Sequence, residues 1–299
     1  MLELIPLALT AVTLLGYAAG LHRLHRRQVR WPMGRTACLV AGSVCVAAAV
    51  LPPVASHDDL FPMHIGQHLL IGMAGPGLLA LSAPITLALR ALPSRSRRSS
   101  LRLLHSRVVR LLTTPATAVV LDVGGLCVLY LTGLYARAEN NDLIHATVHL
   151  HMFVAGCLLS WAIIGVDPIR RRPSLPIRVA TLIVAGAAHD TLSKLMYAHD
   201  LPAGGGPLGD RHTGAELMYY GGTAIDLALT TVLMVQWWRV TGRMLSHSAR
   251  RAHPHSGRPT VESARGQSAE ASSGFPLLDK AGRGNRRGNG GAHRHQQLA

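Results

Sequence analysis

Charge is scarce in this 299-residue chain, and negative charge is scarcest: 15% of residues are charged, with 15 Asp and Glu against 30 Lys and Arg. Lysine is nearly missing, represented by Lys194 and Lys280. The four cysteines, Cys38, Cys45, Cys127 and Cys157, form no CxxC and fall within apolar runs, which excludes a disulfide framework. Short runs of alternating polarity are missing too, which argues against strands. No glycine-rich phosphate loop and no defensible nucleophile, base and orienting group appear, so nothing calls for turnover chemistry.

What the chain has instead is long apolar runs. Hydrophobic residues make up 48% of it, and runs of 18 or more mostly apolar residues are long enough to cross the ~30 Å hydrocarbon layer of a bilayer. They are placed near residues 2–21, 36–55, 63–90, 115–135, 144–166, 177–199 and 215–238. A spanning segment satisfies its backbone polar groups internally, so the expected fold is all-α: a polytopic bundle of seven transmembrane helices. The first run carries Glu3 where a secretory signal has a basic start, and its arginines follow it. An uncleaved first helix fits better.

A net charge of +15 would suggest nucleic acid for a soluble protein. The placement of the arginines gives another account, with the lipid bilayer as partner. The first loop carries Arg23, Arg26, Arg27, Arg30 and Arg35, the third Arg95, Arg97, Arg98, Arg102, Arg107 and Arg110, and the fifth Arg170, Arg171, Arg172 and Arg178. The even loops hold Arg137 and Arg211. By the positive-inside rule the odd loops and the C-terminus are cytoplasmic, giving N-out/C-in topology. The arginine-rich, lysine-poor balance points to a bacterial source and so to the bacterial plasma membrane. Residues 1–243 are expected to form the membrane domain. Residues 244–299, rich in Gly, Ser, Arg and His, are expected to be a disordered basic cytoplasmic tail.

Histidines gather at the arginine-poor ends. Ser56-His57-Asp58-Asp59 and Pro62 offer N-capping and first-turn residues for the third span. His64 and His68 follow at i and i+4, one above the other on one helix face. His145 and His149 repeat the spacing at the start of the fifth span, with His151 and Met152 beyond. The sixth span adds His189 and Asp190. Imidazoles with nearby thioethers and carboxylates suit copper or zinc better than magnesium or calcium. The candidate metal ligands are His64, His68, His145, His149, His151, His189, Met63 and Met152, with copper the expected ion and zinc the alternative. Asp122, Asp190 and Asp226 lie deep in apolar runs, where ionisable groups are costly and face a cavity or a partner.

The stretch His64-Ile65-Gly66-Gln67-His68, then Gly75-Pro76, Ser82-Ala83-Pro84 and Leu89-Arg90-Ala91-Leu92-Pro93, resembles the CtaG family of caa3-type cytochrome c oxidase assembly factors. His145-x-x-x-His149, Trp161 and Asp167-Pro168 are similar in layout, over about residues 1–243. The resemblance implies a membrane assembly factor with cytochrome c oxidase subunits as partners, handling copper on the outer face. It places His64 and His68 in the family's first histidine motif and His149 in the second. Ile65 stands where a Met is expected, and Glu216-Leu217-Met218 replaces an Asp-Gln-led version. Other readings of the same residues are a zinc metalloenzyme with Glu216 or Asp190 as base, a b-type haem protein, and an ion transporter using the three aspartates.

Overall fold

The computed structural model describes residues 5–51, 60–168 and 172–252. The chain divides into two compact units, Met1–Met244 and Leu245–Ala299. The second is described only as far as Ala252, as helix. Among the described residues every regular element is helical. In chain order these are α1 (Ile5–Arg26), α2 (Met33–Val50), α3 (Phe61–His68), α4 (Gly75–Ser82), α5 (Pro84–Ala91) and α6 (Ser94–Leu104). They continue with α7 (Arg107–Leu112), α8 (Pro115–Leu131), α9 (Leu134–Glu139), α10 (Asp142–Ile164), α11 (Leu175–Ala198) and α12 (Leu208–Ala252).

Five stretches among the described residues are long and apolar enough to cross a membrane: Leu7–Arg26, Met33–Val50, Phe61–Ala91, Asp142–Ile164 and Leu208–Gly242. Helix α8 is apolar but has 17 residues. Helix α11 has 24 and carries Arg178, Asp190 and Lys194. Large apolar side chains point outward, among them Leu15, Val120, Ile183 and Leu227 at 63–73% exposure. Water would penalise so many exposed apolar groups, whereas lipid does not.

The third expected span is not one helix. A π-helical turn, Leu69–Ala74, joins α3 to α4, with the Gly75 N–H donating to the Leu70 carbonyl five residues back. Pro76 supplies the reason. It has no N–H for the Gly72 carbonyl and its ring would strike that oxygen, so the helix widens one turn earlier. Gly156 of α10 fits against the freed Gly72 carbonyl, where a Cβ would overlap it. At Gly42 of α2 a Cβ would lie 3.1 Å from the Gly75 carbonyl oxygen. Small residues thus let α2 and α10 close on this segment, as in other packed membrane helices.

A second break falls at Ala83, in left-handed conformation, followed by Pro84 at the start of α5. Asp167, in the loop after α10, caps that start: its Oδ1 accepts from Thr86 N at 2.7 Å and Thr86 Oγ1 at 2.6 Å. Burial pushes the Asp167 carboxyl pKa up, while the Thr86 bonds and Arg35 pull it down. The N-cap expected over Ser56–Asp59 lies outside the described residues; α3 opens at Leu60 with Pro62 in its first turn.

The bundle has two chemically different ends. Arg178, at the start of α11, donates to the Ile163 and Ile164 carbonyls at the close of α10. Arg35 and Gly165 line one cavity at this end. Here too are Trp31, under the guanidinium groups of Arg35 and Arg90 at 4.9 and 5.7 Å, and the Asp167 cap. The histidine pairs begin α3 and α10, at the other end. There His212 Nε2 meets Asp200 Oδ1 at 2.9 Å and stacks on Tyr197.

Candidate metal centre

Helices α3, α10 and α11 bring five histidines into two groups. In the first, His64 of α3 faces His149 and His145 of α10, with ring centres 5.8 and 6.2 Å away, and the α10 pair is 4.3 Å apart. In the second, His68 and His189 are nearly parallel at 5.9 Å. Two imidazoles sharing an ion at ~2 Å from each nitrogen have ring centres roughly 5–6 Å apart. The spacing therefore suits ligation. Among the described residues, however, no three His, Cys, Asp or Glu side chains converge on one point in ligating geometry.

The rings are buried, not spread on a water-facing rim. His64, His68, His145, His149 and His189 are 2–8% exposed. His149 lies seven residues into α10 from Asp142, ~10 Å along the axis at 1.5 Å per residue. Among the described residues, both ring nitrogens of His64, His68 and His189, and Nε2 of His149, have no hydrogen-bond partner. A buried polar group left so is expensive, and such groups in folded proteins usually have a partner. Four rings in one region share the same need and could serve as donors to one ligand. This donor set fits a nitrogen-preferring ion of the copper or zinc kind.

Other expected residues lie elsewhere. His151 is exposed on α10, with Nε2 donating to the Leu121 carbonyl at 3.0 Å. Met63 is 41% exposed. Met152 is buried in the apolar cluster with Ile65, Leu126 and Met196. His68, Met152 and His151 line one cavity of about 580 Å³ between α8 and α10. Of the groups considered as bases, Glu216 is exposed and Asp190 half-buried. The four cysteines are free and half-buried. His57 lies outside the described residues.

Sequence reasoning missed the walls of the site. Phe61, Tyr130 and Tyr135 surround His64, with ring centres 6.5, 6.1 and 5.0 Å away. Tyr130 and Tyr135 flank a Thr-Gly turn in sequence, which gives no sign that both rings turn inward. Glycines of α12 were a readable signal. A Cβ at Gly214 would overlap Phe61, one at Gly221 would lie 2.5 Å from Leu69, and one at Gly222 2.7 Å from His189 Nδ1. They let α12 close directly on the histidine helices.

A family profile described as "Cytochrome c oxidase caa3 assembly factor" matches residues 15–240. Uncharacterised proteins of Mycobacterium bovis and Mycobacterium tuberculosis are each 33% identical over 267 residues, covering 81% of this chain and 40% of theirs. One of Mycobacterium leprae is 29% identical over 264 residues, with the same coverage. The chain thus spans about two-fifths of the length of the curated relatives it matches. No solved structure matches.

Proposed function

Because the chain belongs to the cytochrome c oxidase caa3 assembly factor family, we propose that it serves oxidase assembly by binding or relaying copper through its buried histidines. In this reading it is a seven-span, N-out/C-in protein of the bacterial plasma membrane. Helices α8 and α11 supply the two further spans, and α11 is carried by its packing in spite of its three charges. The tail after residue 243 is a basic cytoplasmic extension suited to anionic headgroups. No turnover is proposed.

One observation carries the copper reading: four histidines from three helices have buried ring nitrogens without a hydrogen-bond partner among the described residues. In neutral form these rings hold the ion. His64 with His149 and His145 makes one station, His68 with His189 the next. Two-ring spacing and incomplete coordination suit transfer to a partner better than permanent storage, since an exchangeable ion needs an open position. Met152 lies beside His68, within the same cavity lining, and offers a soft donor to Cu(I).

The test is elemental analysis of copper in purified wild type and His64→Ala/His68→Ala, with oxidase activity assayed in the corresponding strains. We expect reduced copper and reduced oxidase together. Equal copper with undiminished oxidase defeats the proposal.

A b-type haem is a second reading, favoured by the 580 Å³ apolar cavity lined by both His68 and His151. A Soret band in the purified protein supports it; a colourless protein with bound copper removes it.

A further inference from the structure

At the arginine-rich end of the bundle, a cavity of about 550 Å³ opens between the start of α2, the close of α10 and α12. Among the described residues, three arginines line it: Arg35 of α2, Arg172 before α11 and Arg239 of α12. Its volume falls within the ~300–1,000 Å³ of ordinary ligand sites. No Asp or Glu is among the described lining residues. Asp167, which feels the charge of Arg35, is engaged by Thr86 and does not line the cavity.

The arginines here crowd one another instead of meeting carboxylates. Arg172 and the buried Arg178 both donate to one oxygen, Oε1 of Gln236, Arg178 at 2.6 Å. A neutral amide oxygen does not cancel two positive charges, so guanidiniums held side by side repel unless an anion joins them. Arg178 directs its other bonds to the Ile163 and Ile164 carbonyls. Among the described residues Arg172 donates to Gln236 alone, and a guanidinium carries several further N–H donors.

Beside the charges the lining is apolar. Leu81, Val166 and Val235 belong to it, and Val235 and Val240 are exposed on α12. Trp237 and Trp238, next to Arg239, are exposed as well. Tryptophans at the end of an apolar span mark the level of the lipid headgroups, where an apolar ring and a polar N–H each find a matching solvent.

We propose that this cavity binds one anionic membrane phospholipid, its phosphate held by Arg35, Arg172 and Arg239 and the first part of its acyl chains lying along the valines of α12. Guanidinium groups match phosphate oxygens through paired hydrogen bonds. A soluble phosphate shares that anion chemistry; the apolar wall and the interfacial tryptophans favour a lipid. A lipid so bound links α2, the segment before α11 and α12 at the headgroup level. It differs from general attraction to a basic surface in needing particular arginines.

The experiment is native mass spectrometry of the purified full chain in detergent, titrated with phosphatidylglycerol or with phosphatidylcholine of the same acyl chains. Wild type is expected to bind phosphatidylglycerol about tenfold more tightly. Arg172→Gln/Arg239→Gln should abolish that preference. Val235→Trp keeps every arginine but fills the cavity, and should abolish it too; it guards against misfolding of the first variant. Arg95→Gln/Arg98→Gln removes the same charge from α6 and should keep the wild-type preference. Inorganic phosphate in large excess should leave the bound lipid in place. No preference in wild type, an unchanged preference in either cavity variant, or equal loss in the α6 variant overturns the proposal. Displacement by inorganic phosphate assigns the cavity to a soluble anion and overturns it as well. Copper content bears on the assembly reading alone, so the two can fail separately.

Discussion

His68 and His189 face one another with ring planes 25° from parallel and centres 5.9 Å apart, one at the end of α3 and one in the middle of α11. Glycines back both rings. A Cβ at Gly72 would lie 3.0 Å from His68 Nδ1, and one at Gly222 2.7 Å from His189 Nδ1. The pair is therefore positioned by missing side chains, one on the π turn that continues α3 and one on α12.

Gly222→Ala should push the His189 ring from its place. Overpacking of this kind costs about 1–3 kcal/mol. We expect a lower melting temperature in detergent and lower copper content than wild type. An unchanged value for both would show that the ring has other room.

Histidines of one helix should differ in effect. His149→Ala removes a buried ring from the first station, whereas His151→Ala removes an exposed ring bonded to the Leu121 carbonyl. Copper content should fall in the first and stay at the wild-type value in the second. Equal loss in both would move the metal towards the α8–α10 cavity.

Tyr130 buries a hydroxyl that has no hydrogen-bond partner among the described residues. Removing such a group without leaving another unpaired is neutral to stabilising. Tyr130→Phe should leave stability unchanged or raise it by up to ~1–3 kcal/mol, measured by thermal unfolding of the metal-free protein. A loss would reveal a partner for the hydroxyl.

The Asp167 cap predicts a pH effect with a definite sign. Burial raises this carboxyl's pKa in the folded protein. A raised pKa adds stability below the unfolded value, and that contribution is lost as pH rises through the folded value. Asp167→Asn keeps an oxygen for Thr86 without the charge, so its melting temperature relative to wild type should rise from about pH 4 to 7. Asp167→Ala loses the cap and should cost ~1–2 kcal/mol near pH 4, where the carboxyl's contribution is fully present, and less as pH rises. A wild type that instead gains stability over that range, relative to Asn, contradicts the assignment.

The helical class and the histidine pairs were legible because both are local. Runs of apolar residues set helix length, and i, i+4 spacing sets a shared face. The π turn was foreshadowed by Gly75-Pro76, and the αL break by Ser82-Ala83-Pro84. Partners across the fold were hidden. Asp167 and Thr86 belong to segments that the sequence does not link, whereas the i, i+2 spacing of His149 and His151 already set their rings on different sides of α10. That difference follows from the 100° step per residue, which turns a neighbour two positions along to another side of the helix.

From the sequence alone came the all-helical character of the described chain, the candidate spans and the residue types available as ligands. These depend on composition and on periodicities within one segment, which local sterics and the bilayer's thickness enforce. Tertiary packing decided which imidazoles meet, how deep they lie and that arginines of α2 and α12 share a cavity. Such outcomes depend on how closely separate helices approach, and that distance is set by glycines and prolines far from the histidines they position.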